Sequence, residues 1–271
     1  MPPTPAPPPS HPQPAPSWGP VDAVLFDMGN TLLEFETIPF EELNRRGAAA
    51  TFDLLEEGAR RAGVLPPRAE FVRRFDEVFV RLENEAAPTH GGLHLFDVFA
   101  EILHGLGLPR DDRALLEAMT ARHYDPIVSQ VSLYPEVEET LVALARAGRK
   151  LGIVSNTIWP SAYHVADLER FGIHAHFDAV VFSTDVGVSK PHPRIFEACL
   201  ERLGVPAARA VFVGDRAYED VSGAQRVGMR GVLKSHPQRT PLPHVRPDAH
   251  IDSLAEILPL VAVAGGRRSA G

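Results

Sequence analysis

Val21-Asp22-Ala23-Val24-Leu25-Phe26-Asp27 is a short apolar run that closes on an acid, and Met28-Gly29-Asn30-Thr31-Leu32 follows it. Far downstream, Ala210-Val211-Phe212-Val213-Gly214-Asp215 repeats the pattern, with Asp220 five residues on. In an open parallel sheet, ligands bind just beyond the carboxyl ends of the strands. Two strands that each end in aspartate therefore bring carboxylates to one small volume. Such a volume suits a hard, oxygen-preferring cation such as Mg²⁺, which binds through one or two carboxylates plus substrate phosphate.

The chain around these two runs divides into two kinds of pattern. From about Phe35 to Asp125 there is no strand signal. Helical periodicity is found instead over 40–61, 68–85, 93–106 and 110–124, punctuated by Gly63, Gly91-Gly92 and Gly107-Leu108-Pro109. After Pro135 the pattern alternates: helix 136–147, strand 150–155, helix 160–171, strand 178–182, helix 192–203, strand 210–214, helix 217–227, strands 230–233 and 248–251, and helix 253–261. Strands alternating with helices imply right-handed crossovers and a parallel sheet covered on both faces. The expected fold is α/β, a Rossmann-like parallel sheet core over 21–34 and 130–262, with an inserted all-helical cap domain over 35–129. Residues 1–20 hold ten of the 26 prolines and read as a disordered Pro-rich tail. Residues 263–271 read as a second disordered tail.

Composition limits the function. The 271 residues carry a net charge of −8, with 44% hydrophobic and 23% charged residues, ordinary for a globular chain. No basic face of the kind nucleic acid requires is visible, and no nucleic-acid partner is expected. No apolar run approaches the roughly 18 residues of a membrane span, so no membrane partner is expected either. The N-terminus lacks the basic and apolar regions of a signal peptide. One cysteine, Cys199, excludes an internal disulfide and suits a cytoplasmic location. It falls in an apolar-periodic helix and reads as a buried, inert thiol.

Four loops after four core strands each offer a different polar group. Asp27 closes the first strand, Ser155-Asn156-Thr157 the second, Lys190 follows the third, and Asp215 and Asp220 lie at the fourth. Singly, each has a plain structural reading: a helix N-cap for Asp27, a turn for 155–157, a surface lysine at 190, and a first-turn acid favoured by the helix dipole at 220. Jointly they suit phosphoryl transfer, in which a carboxylate attacks phosphorus and cationic groups neutralise the transferring charge. The chain has three lysines, at 150, 190 and 234, against 24 arginines. A lysine at 190 then reads as a compact point charge chosen over the habitual guanidinium.

With these residues in view, the chain resembles the haloacid dehalogenase superfamily of hydrolases. Phe26-Asp27-Met28-Gly29-Asn30-Thr31-Leu32 resembles the nucleophile loop, Ile153-Val154-Ser155-Asn156-Thr157 the second motif, and Lys190-Pro191 the third. Val213-Gly214-Asp215 through Asp220, with Gly223-Ala224 and Gly228-Met229, resembles the fourth. The resemblance implies a Mg²⁺-dependent phosphatase of a small phosphorylated metabolite, working through an aspartyl-phosphate. It implies Asp27 and Lys190 as catalytic residues, and Thr31, Ser155, Asn156 and Lys190 as substrate-binding residues. Metal ligands would be Asp27, the backbone carbonyl of Gly29, Asp215 and Asp220. Family phosphatases usually carry a second aspartate two residues after the nucleophile, as the proton donor to the leaving oxygen. Gly29 stands there, which implies slow turnover or good leaving groups. Glu34 and Glu36 are candidate substitutes.

Three rival readings bear on the same loops. A 2-haloacid dehalogenase usually has tyrosine at the place of Gly29 and lacks the metal-binding acid, so Asp215 argues against it. A phosphonate-cleaving relative needs a cap lysine, and none lies between 34 and 130. A catalytically weak phosphometabolite-binding protein of the same fold stays open. Trp159 is read either as lining the site mouth or as packing. Phe71, Phe75 and Phe79, at i, i+4 and i+8, read as a buried helix stripe. The histidines show no metal-ligand spacing.

Overall fold

The structure, a computed structural model, describes residues 18–35, 38–59, 65–240 and 242–262. In chain order, β1 (Ala23–Phe26) and β2 (Leu33–Glu34) precede four helices, α1 (Phe40–Ala59), α2 (Arg68–Ala86), α3 (Leu95–Gly105) and α4 (Arg113–Val128). Next come β3 (Ser132–Leu133), α5 (Val137–Arg146), β4 (Lys150–Ser155), α6 (Ser161–Arg170), β5 (Ala179–Phe182), α7 (Ser183–Val186) and α8 (Pro193–Leu203). The chain finishes with β6 (Ala210–Gly214), α9 (Gly223–Arg226), β7 (Arg230–Lys234), β8 (Ala249–Ile251) and α10 (Ile257–Val261).

Six strands form one parallel sheet in the order β5-β4-β1-β6-β7-β8. β1 is central and wholly buried. Its side chains alternate between faces, as the pleat requires. Ala23 and Leu25 pack with Ile195, Phe196 and Cys199 of α8, and Val24 and Phe26 belong to the cluster that holds Leu141 of α5 and Leu168 of α6. Successive strands lie on opposite sides of β1, with β4 to one side and β6 to the other. That reversal opens a crevice at the carboxyl end of β1, where open α/β sheets take ligands.

The helical insertion leaves and rejoins the core through a short antiparallel ribbon in which Leu33 pairs with Leu133 and Glu34 with Ser132. Two-residue strands carry no periodic signal, and the sequence reading contains neither. Phe71, Phe75 and Phe79 form the buried stripe of α2. Phe75 packs on Phe99 of α3 and on His123 of α4. Truncating a buried ring of this kind costs about 3–5 kcal/mol.

Several boundaries differ from expectation. Asp112 caps α4 by accepting from the Leu115 N–H at 3.1 Å, so the helix starts later than 110, and it runs past Pro126 to Val128. The helix expected over 217–227 is a π-helical turn, Ala217–Ser222, ahead of α9. The helix expected over 253–261 opens as a 3₁₀ turn with a Ser253/Glu256 capping box. Trp18, placed in the Pro-rich tail by composition, packs against the core with the Arg230 guanidinium 5.7 Å from its ring. The rest of that tail, 1–17, the end 263–271 and Glu36 lie outside the described residues. Cys199 is buried, and burial pushes its thiol up to about 12, which makes it inert. No helix among the described residues is long and apolar enough to cross a membrane.

Candidate active site

Parallel pairing sets the site. The Asp27 N–H donates to the Val213 carbonyl at 2.9 Å, extending the β1–β6 ladder by one residue. Asp27 thus sits level with the ends of both neighbours, beside Ser155 of β4 and Gly214 of β6, with Asp215 just beyond that strand. One carboxylate oxygen from each of Asp27, Asp215 and Asp220 lies within 4.8 Å of the others, and all three residues are buried.

Lys190 stands among these acids. Its Nζ donates to Asp27 Oδ1 at 2.6 Å and to Asp220 Oδ1 at 2.7 Å. The Ser155 hydroxyl donates to the same Asp27 Oδ1 at 3.0 Å. Asn156 clamps the Lys190 backbone on both sides, accepting from its N–H at 2.7 Å and donating to its carbonyl at 3.2 Å. Asp220 reaches the cluster because the π turn widens the backbone there; its Oδ2 accepts from the Arg216 N–H at 2.8 Å. Gly214 makes room for it, since a Cβ at that position would lie 2.6 Å from Asp220 Cβ.

The electrostatics follow from burial. Desolvation raises the Asp220 carboxyl to about 7 against the pull of Lys190, and the charges of Asp27 and Asp215 push the same way. Burial and Asp27 also raise Asp215, opposed by Arg239, whose Nε donates to Asp215 Oδ2 at 2.6 Å. Burial disfavours the Lys190 ammonium, but Asp220 and Asp27 outweigh it and raise its pKa. Asp215 Oδ1 is buried with no hydrogen-bond partner among the described residues. A buried, unpartnered carboxylate oxygen beside two more acids fits a divalent cation, which would relieve both the desolvation and the mutual repulsion.

The sequence-predicted residues therefore separate. Asp27, Ser155, Lys190, Asp215 and Asp220 converge, and Gly29 and Asn156 line the same cleft of about 530 Å³. Thr31 stands apart: it is wholly buried, its hydroxyl has no partner among the described residues, and it does not line the cleft. Glu34 is exposed, accepts from the Ser132 hydroxyl at 3.2 Å, and is likewise outside the cleft lining.

Sequence reasoning missed several contributors. Arg216, inside the fourth-motif loop beside Asp215, and Arg239, from a loop with no motif, both line the cleft. A buried polar chain supports the second motif: the Thr157 hydroxyl shares a hydrogen bond with His164 Nε2 at 2.5 Å, and the Tyr124 hydroxyl contacts His164 Nδ1 at 3.3 Å and donates to Asp167. Burial drives the His164 imidazole down to about 3, so it is neutral. The one available signal was spacing, seven residues from Thr157 to His164 along a loop and an amphipathic helix. The loop after α2 is also joined to the loop ahead of Lys190. The Ser189 N–H donates to the His90 carbonyl at 2.7 Å and the Gly92 N–H to the Gly187 carbonyl at 3.0 Å.

Comparison with known proteins gives a consistent set of likenesses. The family model described as haloacid dehalogenase-like hydrolase matches residues 21–228. A glyceraldehyde 3-phosphate phosphatase of Methanopyrus kandleri is 34% identical over 215 residues, covering 77% of this chain and 82% of that protein. A phosphoserine phosphatase of Thermus thermophilus is 30% identical over 252 residues, covering 86% and 96%. Among solved structures, a 2-haloacid dehalogenase from Pseudomonas syringae superimposes with a TM-score of 0.70 at 27% identity, covering 89% of this chain and 98% of that one.

Proposed function

Because this chain belongs to the haloacid dehalogenase-like hydrolase family, we propose that it is a Mg²⁺-dependent phosphatase of a small phosphorylated metabolite, with Asp27 as the nucleophile. The observation that carries this reading is the meeting of Asp27, Lys190, Asp215 and Asp220 at the mouth of the sheet. Lys190 and Ser155 both bind Asp27 Oδ1, which fixes the plane of the carboxylate and leaves attack to Oδ2. Oδ2 forms a bond to phosphorus as the bond from phosphorus to the leaving oxygen breaks. Water then releases inorganic phosphate from the acyl phosphate and restores Asp27. Lys190 neutralises charge on the transferring group and Asn156 holds Lys190 in place. Mg²⁺ would be held by Asp27, Asp215, Asp220 and the Gly29 carbonyl, and when bound it supplies charge neutralisation as a Lewis acid.

The acid cluster favours this reading over halide displacement, even though a dehalogenase shares the fold. A dehalogenase has no use for three converging carboxylates with an orphaned oxygen at Asp215. The weak-binder reading is separated by turnover. Asp27→Asn, assayed with p-nitrophenyl phosphate and Mg²⁺, is expected to lose turnover to background while still gaining thermal stability from phosphate ligands. Unchanged turnover in that variant removes the nucleophile assignment. Absence of turnover in the unsubstituted protein across a phosphometabolite panel leaves the weak binder.

A further inference from the structure

The space beside the nucleophile is bounded by aromatic carbon. A Cβ built on Gly29 meets only the Phe35 side chain, at 3.6 and 3.8 Å, so the place where a side chain would stand is open and faces Phe35. The Phe35 ring contacts Trp159 at a centroid distance of 6.2 Å, and Trp159 contacts Phe40 edge-on, also at 6.2 Å. All three line the cleft that contains Asp27, Gly29 and Ser155. The strip is rigid at its centre. Trp159 is only 3% exposed, its Nε1 donates to His123 Nδ1 at 3.4 Å, and the Tyr124 ring packs against it at 5.2 Å. The Phe35 and Phe40 planes stand at 56° and 84° to that of Trp159, so the three rings make a fixed aromatic corner, and a preordered wall costs a ligand little ordering on binding. His164, which also lines the cleft, has both ring nitrogens engaged by Thr157 and Tyr124.

We propose that the substrate is an aryl phosphate monoester, with its ring set into the corner formed by Phe35, Trp159 and Phe40 and its phosphate against Asp27 and Lys190. The proposal rests on the phosphoryl-transfer reading above. Two independent features converge on it: the aromatic strip, and the lack of a side chain at Gly29. As the bond from Asp27 to phosphorus forms, the bond from phosphorus to the aryl oxygen breaks and its electron pair leaves on a phenolate. A phenol has a pKa near 10, so the phenolate departs without a proton from the protein and takes one from solvent. Water then attacks the acyl phosphate; its oxygen goes to inorganic phosphate, its protons are shared between phosphate and solvent, and the Asp27 carboxylate is regenerated.

The test compares kcat/KM for phenyl and 2-naphthyl phosphate with glycerol 3-phosphate and 2-phosphoglycolate, all with Mg²⁺, in the unsubstituted protein and in Phe40→Ala. The expected aryl preference is about 10²–10⁴-fold, the contribution of the proton transfer that alkyl esters would be denied. Phe40→Ala should raise KM for 2-naphthyl phosphate about 2- to 12-fold, the range of one aromatic pair, and raise it less for glycerol 3-phosphate. Alkyl esters turned over as well as aryl esters would overturn the proposal, as would a KM rise of equal size for both. A small preference that widens in His90→Gln would assign the missing proton to His90 and overturn it too. Asp27→Asn separates the two levels. If that variant is inactive and no aryl preference exists, the phosphatase reading stands and this inference fails; if it hydrolyses phenyl phosphate as fast as the unsubstituted protein, the assignment of Asp27 as the nucleophile fails.

Discussion

Gly29→Asp is expected to turn a leaving-group-limited enzyme into a general one. The backbone permits the change, because Gly29 does not occupy the left-handed region, and the new Cβ would make ordinary contact with Phe35 at 3.6 Å. The added carboxyl would stand in the cleft that Asp27 and Gly29 both line, where Asp27 is one of three clustered buried acids. Like charges and desolvation both favour its protonated form, which is the form a proton donor needs at neutral pH. General acid catalysis typically contributes about 10²–10⁴-fold, or about 3–5 kcal/mol of barrier at 1.36 kcal/mol per decade. The gain should be confined to poor leaving groups: kcat/KM for glycerol 3-phosphate rises by that factor and p-nitrophenyl phosphate changes little. The assay is a steady-state comparison of the two substrates at saturating Mg²⁺, with thermal melting to confirm the fold. A folded, Mg²⁺-responsive variant with unchanged alkyl ester turnover would refute the reasoning, because some other group would already be delivering the proton.

Three further outcomes are expected. Lys190→Met leaves Asp27 and Asp220 buried without the cation that binds both, a loss of about 3–5 kcal/mol that urea unfolding in EDTA would read as a lower midpoint. Gly214→Ala drives Asp220 away from Lys190, since the methyl group would sit 2.6 Å from Asp220 Cβ; kcat should fall about 10²-fold, the penalty of a misplacement near 1 Å, and unaltered kcat would show that the position of Asp220 is immaterial. The Asp220 carboxyl is raised from 3.8 to about 7 in the folded state, so between those pH values the folded protein holds a proton that the unfolded chain releases. Its stabilising contribution is full below about pH 4 and is lost as pH rises through 7. In EDTA, Asp220→Asn should therefore gain on the unsubstituted protein in melting temperature across that window, and a pH-independent difference would contradict the assignment. Mg²⁺ should reduce the gap at the upper end.

The fold was legible wherever periodicity is long and burial two-sided. β1, β4 and β6 read as apolar runs because helices cover both faces of the sheet, and α2 read as a helix because three phenylalanines repeat along one stripe. The β2–β3 ribbon was not legible, since two residues establish no period. The π turn at Ala217–Ser222 was not legible either, because its helical propensity is that of an ordinary turn and only the pull of Lys190 and the Arg216 N–H on Asp220 distinguishes it. In the site, the charged residues at strand ends could be named from order and spacing. Arg239 and His164 could not, since each is brought in by packing of a loop or a helix that carries no chemical pattern. Thr31 is the opposite case: its place in a motif suggested a phosphate contact, and the tight turn around Asn30, at φ 59°, accompanies a hydroxyl enclosed in the interior.

The two backbone hydrogen bonds that tie residues 90 and 92 to residues 187 and 189 join the helical insertion to the segment that carries the Lys190 ammonium. Any displacement of the α2–α3 loop must either carry the 187–189 segment with it or break the bond between the Ser189 N–H and the His90 carbonyl, one residue from Lys190. The position of that loop and the backbone position of Lys190 are thus coupled through two hydrogen bonds rather than set independently.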